Sequence, residues 1–233
     1  MLIWLASFPR SGNTLARTLL RQVFDLRTHS KYEPAGSPSM DHRLTDIMGA
    51  AKYEGNFPTF LDAARHAPAV TVCKTHDEPE GDDRAIYVVR NGLVATDSYR
   101  HYLSALNGSE TPWSEVLGRA TAFENWSRHL DAWRPLDREG TLIVRYEDLV
   151  ERPEAVIADI AGFLELRPVT GWSNPWKAVN SIGPNFFRRG LAQIPETITT
   201  AERDAFVGLH GAWMARLGYS ADLPASSLRS AAR

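Results

Sequence analysis

The residues with the clearest capacity for chemistry lie near the start of the chain. Ser7-Phe8-Pro9-Arg10-Ser11-Gly12-Asn13-Thr14 follows a short apolar run and leads into a helical pattern. A strand, a tight loop with a glycine and a helix N-terminus form a ready anion site, because backbone N–H groups converge there and the helix dipole adds roughly half a positive charge. Arg10 supplies a planar cation, and Ser11, Asn13 and Thr14 supply donors. The same stretch also reads as a plain helix cap with a solvated Arg10, and local pattern leaves both open. It is not a nucleoside-triphosphate loop of the form G-x-x-x-x-G-K-[ST], since it has one glycine and no lysine. A second candidate is Arg90, which ends the apolar run Ala85 to Val89. Phosphoryl-transfer enzymes place an Asp at such a strand end to hold Mg²⁺. A cation there repels a metal and attracts a phosphate, although an ordinary ion pair with Asp97 or Glu147 is the alternative.

Elements that position these residues can be read from the apolar pattern. Leu2 to Ala6, Ala69 to Cys73, Ala85 to Val89 and Thr141 to Val144 are apolar on both faces, as strands of a buried parallel sheet are. Helical spacing follows Gly12 (Leu15, Leu19, Leu20, Val23) and recurs at Val116, Ala120, Phe123, Trp126, Leu130 and Trp133. It returns at Ile157, Ile160 and Leu164 behind Pro153, and at Phe206, Leu209, Trp213 and Leu217. Alternating strands and helices predict a single α/β domain over residues 1–220, with a central, mainly parallel sheet flanked by helices. Residues 25–56, 104–113 and 167–195 read as loops over the binding face, and 221–233 as a frayed tail.

Composition narrows the function. With 43% hydrophobic residues the chain can bury a core, and 26 Lys+Arg against 28 Asp+Glu leave a net charge of −2. Neither a nucleic acid nor a membrane surface is the expected partner. The single cysteine, Cys73, excludes an internal disulfide and a cysteine-rich metal site. With no spanning segment and no signal peptide at the start, the expectation is a soluble cytoplasmic protein of unread oligomeric state.

Five blocks in order, Pro9 to Thr14, Lys74 to His76, Tyr87 to Asn91 with Ser98, Arg145 to Leu149 and Phe186 to Gly190, together resemble the sulfotransferase family that uses 3′-phosphoadenosine 5′-phosphosulfate (PAPS) and releases 3′-phosphoadenosine 5′-phosphate (PAP). Pro9-Arg10-Ser11-Gly12-Asn13-Thr14 matches the family's 5′-phosphosulfate loop. Lys74-Thr75-His76 matches its K-T-H after a strand. Tyr87-Val-Val-Arg90-Asn91 with Ser98, eight residues after the arginine, matches the block that grips the 3′-phosphate. Arg145-Tyr146-Glu147-Asp148-Leu149 matches [RY]-Y-E-D-L, and Phe186-Phe187-Arg188-Arg189-Gly190 resembles the late block that closes on the 3′-phosphate. The resemblance implies a P-loop-like sulfotransferase fold and a donor site of Arg10, Ser11, Gly12, Asn13, Thr14, Arg90, Ser98, Tyr146, Arg188, Arg189 and Gly190. The chain departs from the pattern at Leu15, where the family often has the Trp that stacks on adenine, leaving Tyr146 or Trp176 for that contact. It departs again after Gly190, where G-x-W-[KR] is replaced by Leu191-Ala-Gln-Ile-Pro195.

The implied reaction is sulfuryl transfer from PAPS to a hydroxyl of a small-molecule acceptor, in line. His76 is the expected general base, since an ordinary imidazole pKa near 6.5 suits proton removal near neutrality. Arg10, Lys74 and the loop N–H groups would stabilise charge on the sulfuryl and bridging oxygens. Arg90, Arg188 and Arg189 suit bidentate recognition of a nucleotide with an extra phosphate. Phosphate leaves readily, so no metal is required. The other six histidines read as structural, Trp126, Trp133 and Trp213 as core, and Asp77 and Glu78 as solvated loop charges. Phe57, Phe60, Tyr99, Tyr102, Trp113 and Trp172 point to an aromatic or apolar acceptor such as a phenol. The alternatives are a Mg-ATP-dependent small-molecule kinase and a nucleotide-binding module without catalysis.

Overall fold

A computed structural model describes residues 1–32, 41–118, 125–182, 194 and 197–221. Chain order is β1 (Leu2–Ala6), α1 (Asn13–Phe24), β2 (Thr28–Ser30), α2 (His42–Met48), α3 (Phe57–His66), β3 (Thr71–Thr75) and β4 (Arg84–Val89). Then come α4 (Gly92–Asn107), α5 (Trp113–Leu117), α6 (Trp126–Trp133), β5 (Thr141–Arg145), α7 (Tyr146–Glu151), α8 (Pro153–Leu164), α9 (Trp176–Ile182) and α10 (Thr200–Arg216). The five strands form one sheet in the order β2-β3-β1-β4-β5, every pairing parallel. The doubly apolar strands have the expected cause. Ile3 and Leu5 face a layer with Leu19, Leu20 and Ile160, while Trp4 and Ala6 face one with Leu93, Leu130 and Phe206. Side-chain alternation along a strand therefore loads both faces of the sheet.

Register aligns the functional ends. Ala6 is level with Thr75 on one side and with Tyr87 on the other, and Val89 is level with Arg145. The chain leaves β1 near the middle of the sheet, where the connections diverge to opposite sides, and ligands of open α/β sheets sit outside the carboxyl ends at such a point.

Several expectations need correcting. β3 starts two residues later than the apolar run and ends two later, because pairing of Thr71 to Thr75 with Leu2 to Ala6 sets its limits. The polar stretch 25–56 contains β2 and α2. β2 is a short, polar edge strand, so it carries no apolar signature. The helical spacing from Val116 to Trp133 is not one described helix: α5 ends at Gly118, and Asn125 caps α6 by accepting the Arg128 N–H at 3.0 Å. Its Ala120 and Phe123 lie outside the described residues, as does the tail from residue 222. Helix α4 extends to Asn107, into the stretch read as a loop from residue 104, before Gly108 takes the left-handed conformation. On α10 the buried face runs through Phe206, His210, Trp213 and Met214, while Leu209 is 57% exposed. His210 is tolerated inside because its ring bonds Ser127 Oγ at 2.7 Å and the Leu117 carbonyl at 3.1 Å.

Candidate active site

The loop between β1 and α1 is built by local turn chemistry. Pro9 sets the first corner of a turn closed by the Ser11 N–H donating to the Phe8 carbonyl at 3.2 Å. Arg10 follows with φ 64°, the left-handed region an L-residue enters at a cost. That twist presents the Arg10 carbonyl to the Arg90 guanidinium, whose Nη1 donates to it at 3.1 Å. Gly12 then has φ 107°, and a Cβ there would lie 2.4 Å from Tyr146 Cδ2. Only glycine fits between loop and ring. Asn13 Nδ2 donates to the Leu5 carbonyl at 3.1 Å and to Ser7 Oγ at 3.2 Å, which fastens the loop to the strand it leaves. Ser11 is fully buried, and its Oγ has no hydrogen-bond partner among the described residues. A buried hydroxyl in that condition is costly unless something outside the chain bonds it.

Arginines converge on this loop. Arg10 Nε donates to Ser98 Oγ on α4 at 3.4 Å, and its guanidinium lies 5.4 Å from the Tyr102 ring centre. Arg90, 7% exposed, lies 4.2 Å over the Tyr146 ring. Tyr146 is itself buried between Gly12 and Arg90, and burial raises its phenol pKa. That position makes it the spacer that holds Arg90 against the loop. Glu147 accepts the Asn91 N–H at 3.1 Å and the Tyr219 hydroxyl at 2.9 Å, while Asp97 lies 3.3 Å from Arg100 and 3.5 Å from His101. Thr14 lies in the first turn of α1, and its carbonyl accepts the Thr18 hydroxyl at 2.9 Å.

His76, one residue beyond β3, meets the same loop. Its Nδ1 lies 2.7 Å from the Ser7 carbonyl oxygen. A carbonyl only accepts, so the proton sits on Nδ1 and Nε2 is the basic nitrogen. Burial, then the Lys74 ammonium, pushes the His76 pKa well below its ordinary value, leaving it neutral at physiological pH. Lys74 lies 5.3 Å from the Tyr32 ring centre, and that ring stacks on His76 with centroids 5.9 Å apart. Tyr32 Oη accepts the His76 N–H at 2.8 Å and donates to Asp77 at 2.7 Å. Asp77 is not a solvated loop charge. Burial alone would raise its pKa, but Lys31 at 2.7 Å and Tyr32 hold it below the usual carboxylate range.

Every described residue expected at the site stands at the carboxyl end of the sheet: Arg10 to Thr14, Lys74, His76, Arg90, Ser98 and Tyr146. Arg188, Arg189 and Gly190 lie outside the described residues. Of the six aromatic residues expected around an acceptor, Tyr99 and Trp113 lie in one core layer with Phe57, Phe60 and Tyr102 packed against it, while Trp172 packs against the other. Two residues carry more of the site than sequence indicated. Tyr32 falls in a stretch without periodicity, and His129 had no motif around it. Only its spacing of four from Trp133 was legible.

The family profile described as the sulfotransferase domain matches residues 2–174, and the chain belongs to that family. A sulfotransferase 1B1 of Canis lupus familiaris is 26% identical over 176 residues, covering 70% of this chain and 58% of that protein. A cytosolic sulfotransferase 14 of Arabidopsis thaliana is 28% identical over 189 residues, covering 70% and 53%. The chain thus spans little more than half the length of these relatives. The crystal structure of mouse sulfotransferase SULT7A1 complexed with PAP is similar in fold, with a TM-score of 0.62 and 17% identity, covering 91% of this chain and 84% of that one. No helix among the described residues is long and apolar enough to cross a membrane.

Proposed function

We propose that the protein transfers the sulfuryl group of PAPS to a hydroxyl of a small-molecule acceptor, with His76 as general base. One observation carries the reading: base and phosphate loop form a single unit, joined by the 2.7 Å contact between His76 Nδ1 and the Ser7 carbonyl. The bond that fixes the tautomer also sets the basic nitrogen beside the donor loop. The PAP bound in the mouse relative supports the donor assignment. So do the orphaned Ser11 hydroxyl, which a phosphosulfate oxygen would satisfy, and the Gly12 cradle that a Cβ would fill. Arg10 and Arg90 give this end of the sheet two planar guanidiniums, whose paired donors match the oxygens of a phosphate or sulfate group.

In the transfer, the acceptor hydroxyl loses its proton to His76 Nε2 as its oxygen bonds sulfur. The bond from sulfur to the 5′-phosphate oxygen breaks opposite it, and PAP leaves. Lys74, Arg10 and the loop N–H groups offset the charge that builds on the sulfuryl and leaving oxygens. Arginine is not an acid here, since its pKa exceeds about 12. A phenol is the acceptor class that the aromatic side chains near α4 favour.

Thermal unfolding tests the donor. PAP with EDTA, at a hundredfold excess over Kd, adds about 2.7 kcal/mol and raises Tm by roughly 5–10 °C. A rise with ATP and Mg²⁺ instead would replace this reading by a kinase. For the base, His76→Ala is expected to lower turnover about 10²–10⁴-fold while PAP still binds. Unchanged turnover removes His76 from the reaction.

A further inference from the structure

The backbone carrying His76 is held from an unexpected direction. Helix α6 points two ring N–H groups at consecutive carbonyls: His129 Nε2 lies 3.0 Å from the His76 oxygen, and Trp133 Nε1 lies 2.8 Å from the Asp77 oxygen. Residues four apart share one helix face, and these two rings stack with centroids 6.5 Å apart. His129 is 2% exposed, and its other nitrogen lies 2.7 Å from the hydroxyl of the buried Tyr87 on β4. Each role follows from the partner. The carbonyl accepts, so Nε2 carries the proton, and Nδ1 therefore accepts the Tyr87 O–H. Burial lowers the His129 pKa to about 4, which keeps that arrangement neutral. On its other side the His76 N–H is held by Tyr32, and the Asp77 N–H donates to Thr75 Oγ1 at 3.0 Å. The peptide unit that aims the base is thus bonded at both of its backbone groups.

We infer that His129 is a positioning residue for the reaction: through the chain Tyr87 O–H to His129 to the His76 carbonyl, it fixes where the His76 imidazole points. Its ring nitrogens are both spent inside the protein, so it acts on the acceptor only by way of His76. The inference rests on His76 being the base. A purely structural histidine would lower stability without changing how the base performs, and the two roles are separable.

The experiment is a double-mutant cycle. Turnover of 2-naphthol with saturating PAPS is compared for the unaltered protein, His129→Phe, His76→Ala and the double variant, with PAP affinity measured on each. His129→Phe is expected to lower kcat about 10–100-fold, the scale of a misplaced catalytic group, with PAP affinity unchanged. In the His76→Ala background it should cost less than twofold. His129→Gln, which keeps a donor and an acceptor, should recover part of the loss. An equal loss in both backgrounds, or no loss, overturns the inference; a His76→Ala variant as active as the parent overturns the function reading instead. If His129→Phe fails to fold, Tyr87→Phe carries the same cycle, since it keeps His129 and withdraws the hydroxyl that donates to its Nδ1. Nitrogen-15 NMR of the His76 ring needs no acceptor. A single Nδ1–H tautomer in the parent that becomes a mixture in His129→Phe or Tyr87→Phe supports the relay, and an unchanged ring refutes it.

Discussion

At the residue scale, the basicity of His76 is an outcome of competition. Burial and the Lys74 ammonium disfavour the imidazolium, while the bond to the Ser7 carbonyl favours it. Depression wins, so the imidazole stays unprotonated well below pH 6.5, and with His76 as the proposed base the acidic limb of kcat/KM should lie there. Lys74→Met removes one of the depressing charges. It should move that limb upward in pH while slowing turnover, and a pH–rate profile of both proteins checks the sign. Gly12→Ala is the sharpest single change in the loop, since φ 107° and a 2.4 Å approach to Tyr146 leave a methyl no room. It should cost about 1–3 kcal/mol in urea unfolding and abolish the Tm rise with PAP. Arg10, Ser11, Gly12 and His76 were legible because their neighbours carry a motif. His129 and Tyr32 were not, because a side chain that bonds a distant backbone group leaves no local trace in sequence.

At the scale of elements, the strands that feed the site were readable from doubly apolar runs, and their register was not. The limits of β3 come from its partner β1, a long-range fact. Helix α4 escaped notice because its first turns are buried among Leu93, Val94 and Ala95, and such a helix shows little amphipathic contrast. Segment packing gives a prediction of its own. Arg145 donates to the Leu217 carbonyl, Asn91 Nδ2 donates to the Ser220 carbonyl at 2.9 Å, and Glu147 holds Tyr219. Residues 217–220 are thereby latched beside Arg90. Glu147→Ala strands the Asn91 N–H, a donor of a 7% exposed residue. It should cost about 1–3 kcal/mol, read as a lower urea midpoint with an unchanged m-value.

At the scale of the whole molecule, several histidines are folded in neutral form. His129 falls to about 4 through burial, and burial also lowers His29 and His210. The unfolded chain takes up these protons first, so stability is complete above pH 6.5 and declines as pH falls toward 4. His129 alone accounts for about 3 kcal/mol of that decline. Urea midpoints at pH 7.5 and 5 should differ accordingly, and His129→Gln should narrow the gap. The left-handed backbone of Arg10 has a different consequence. Arg10→Gly would relax the turn and raise stability by about 0.5–1 kcal/mol while discarding a guanidinium from the proposed donor loop. Directed evolution guided by heat resistance alone would therefore enrich proteins that survive longer and turn over less, unless every round also selects for product.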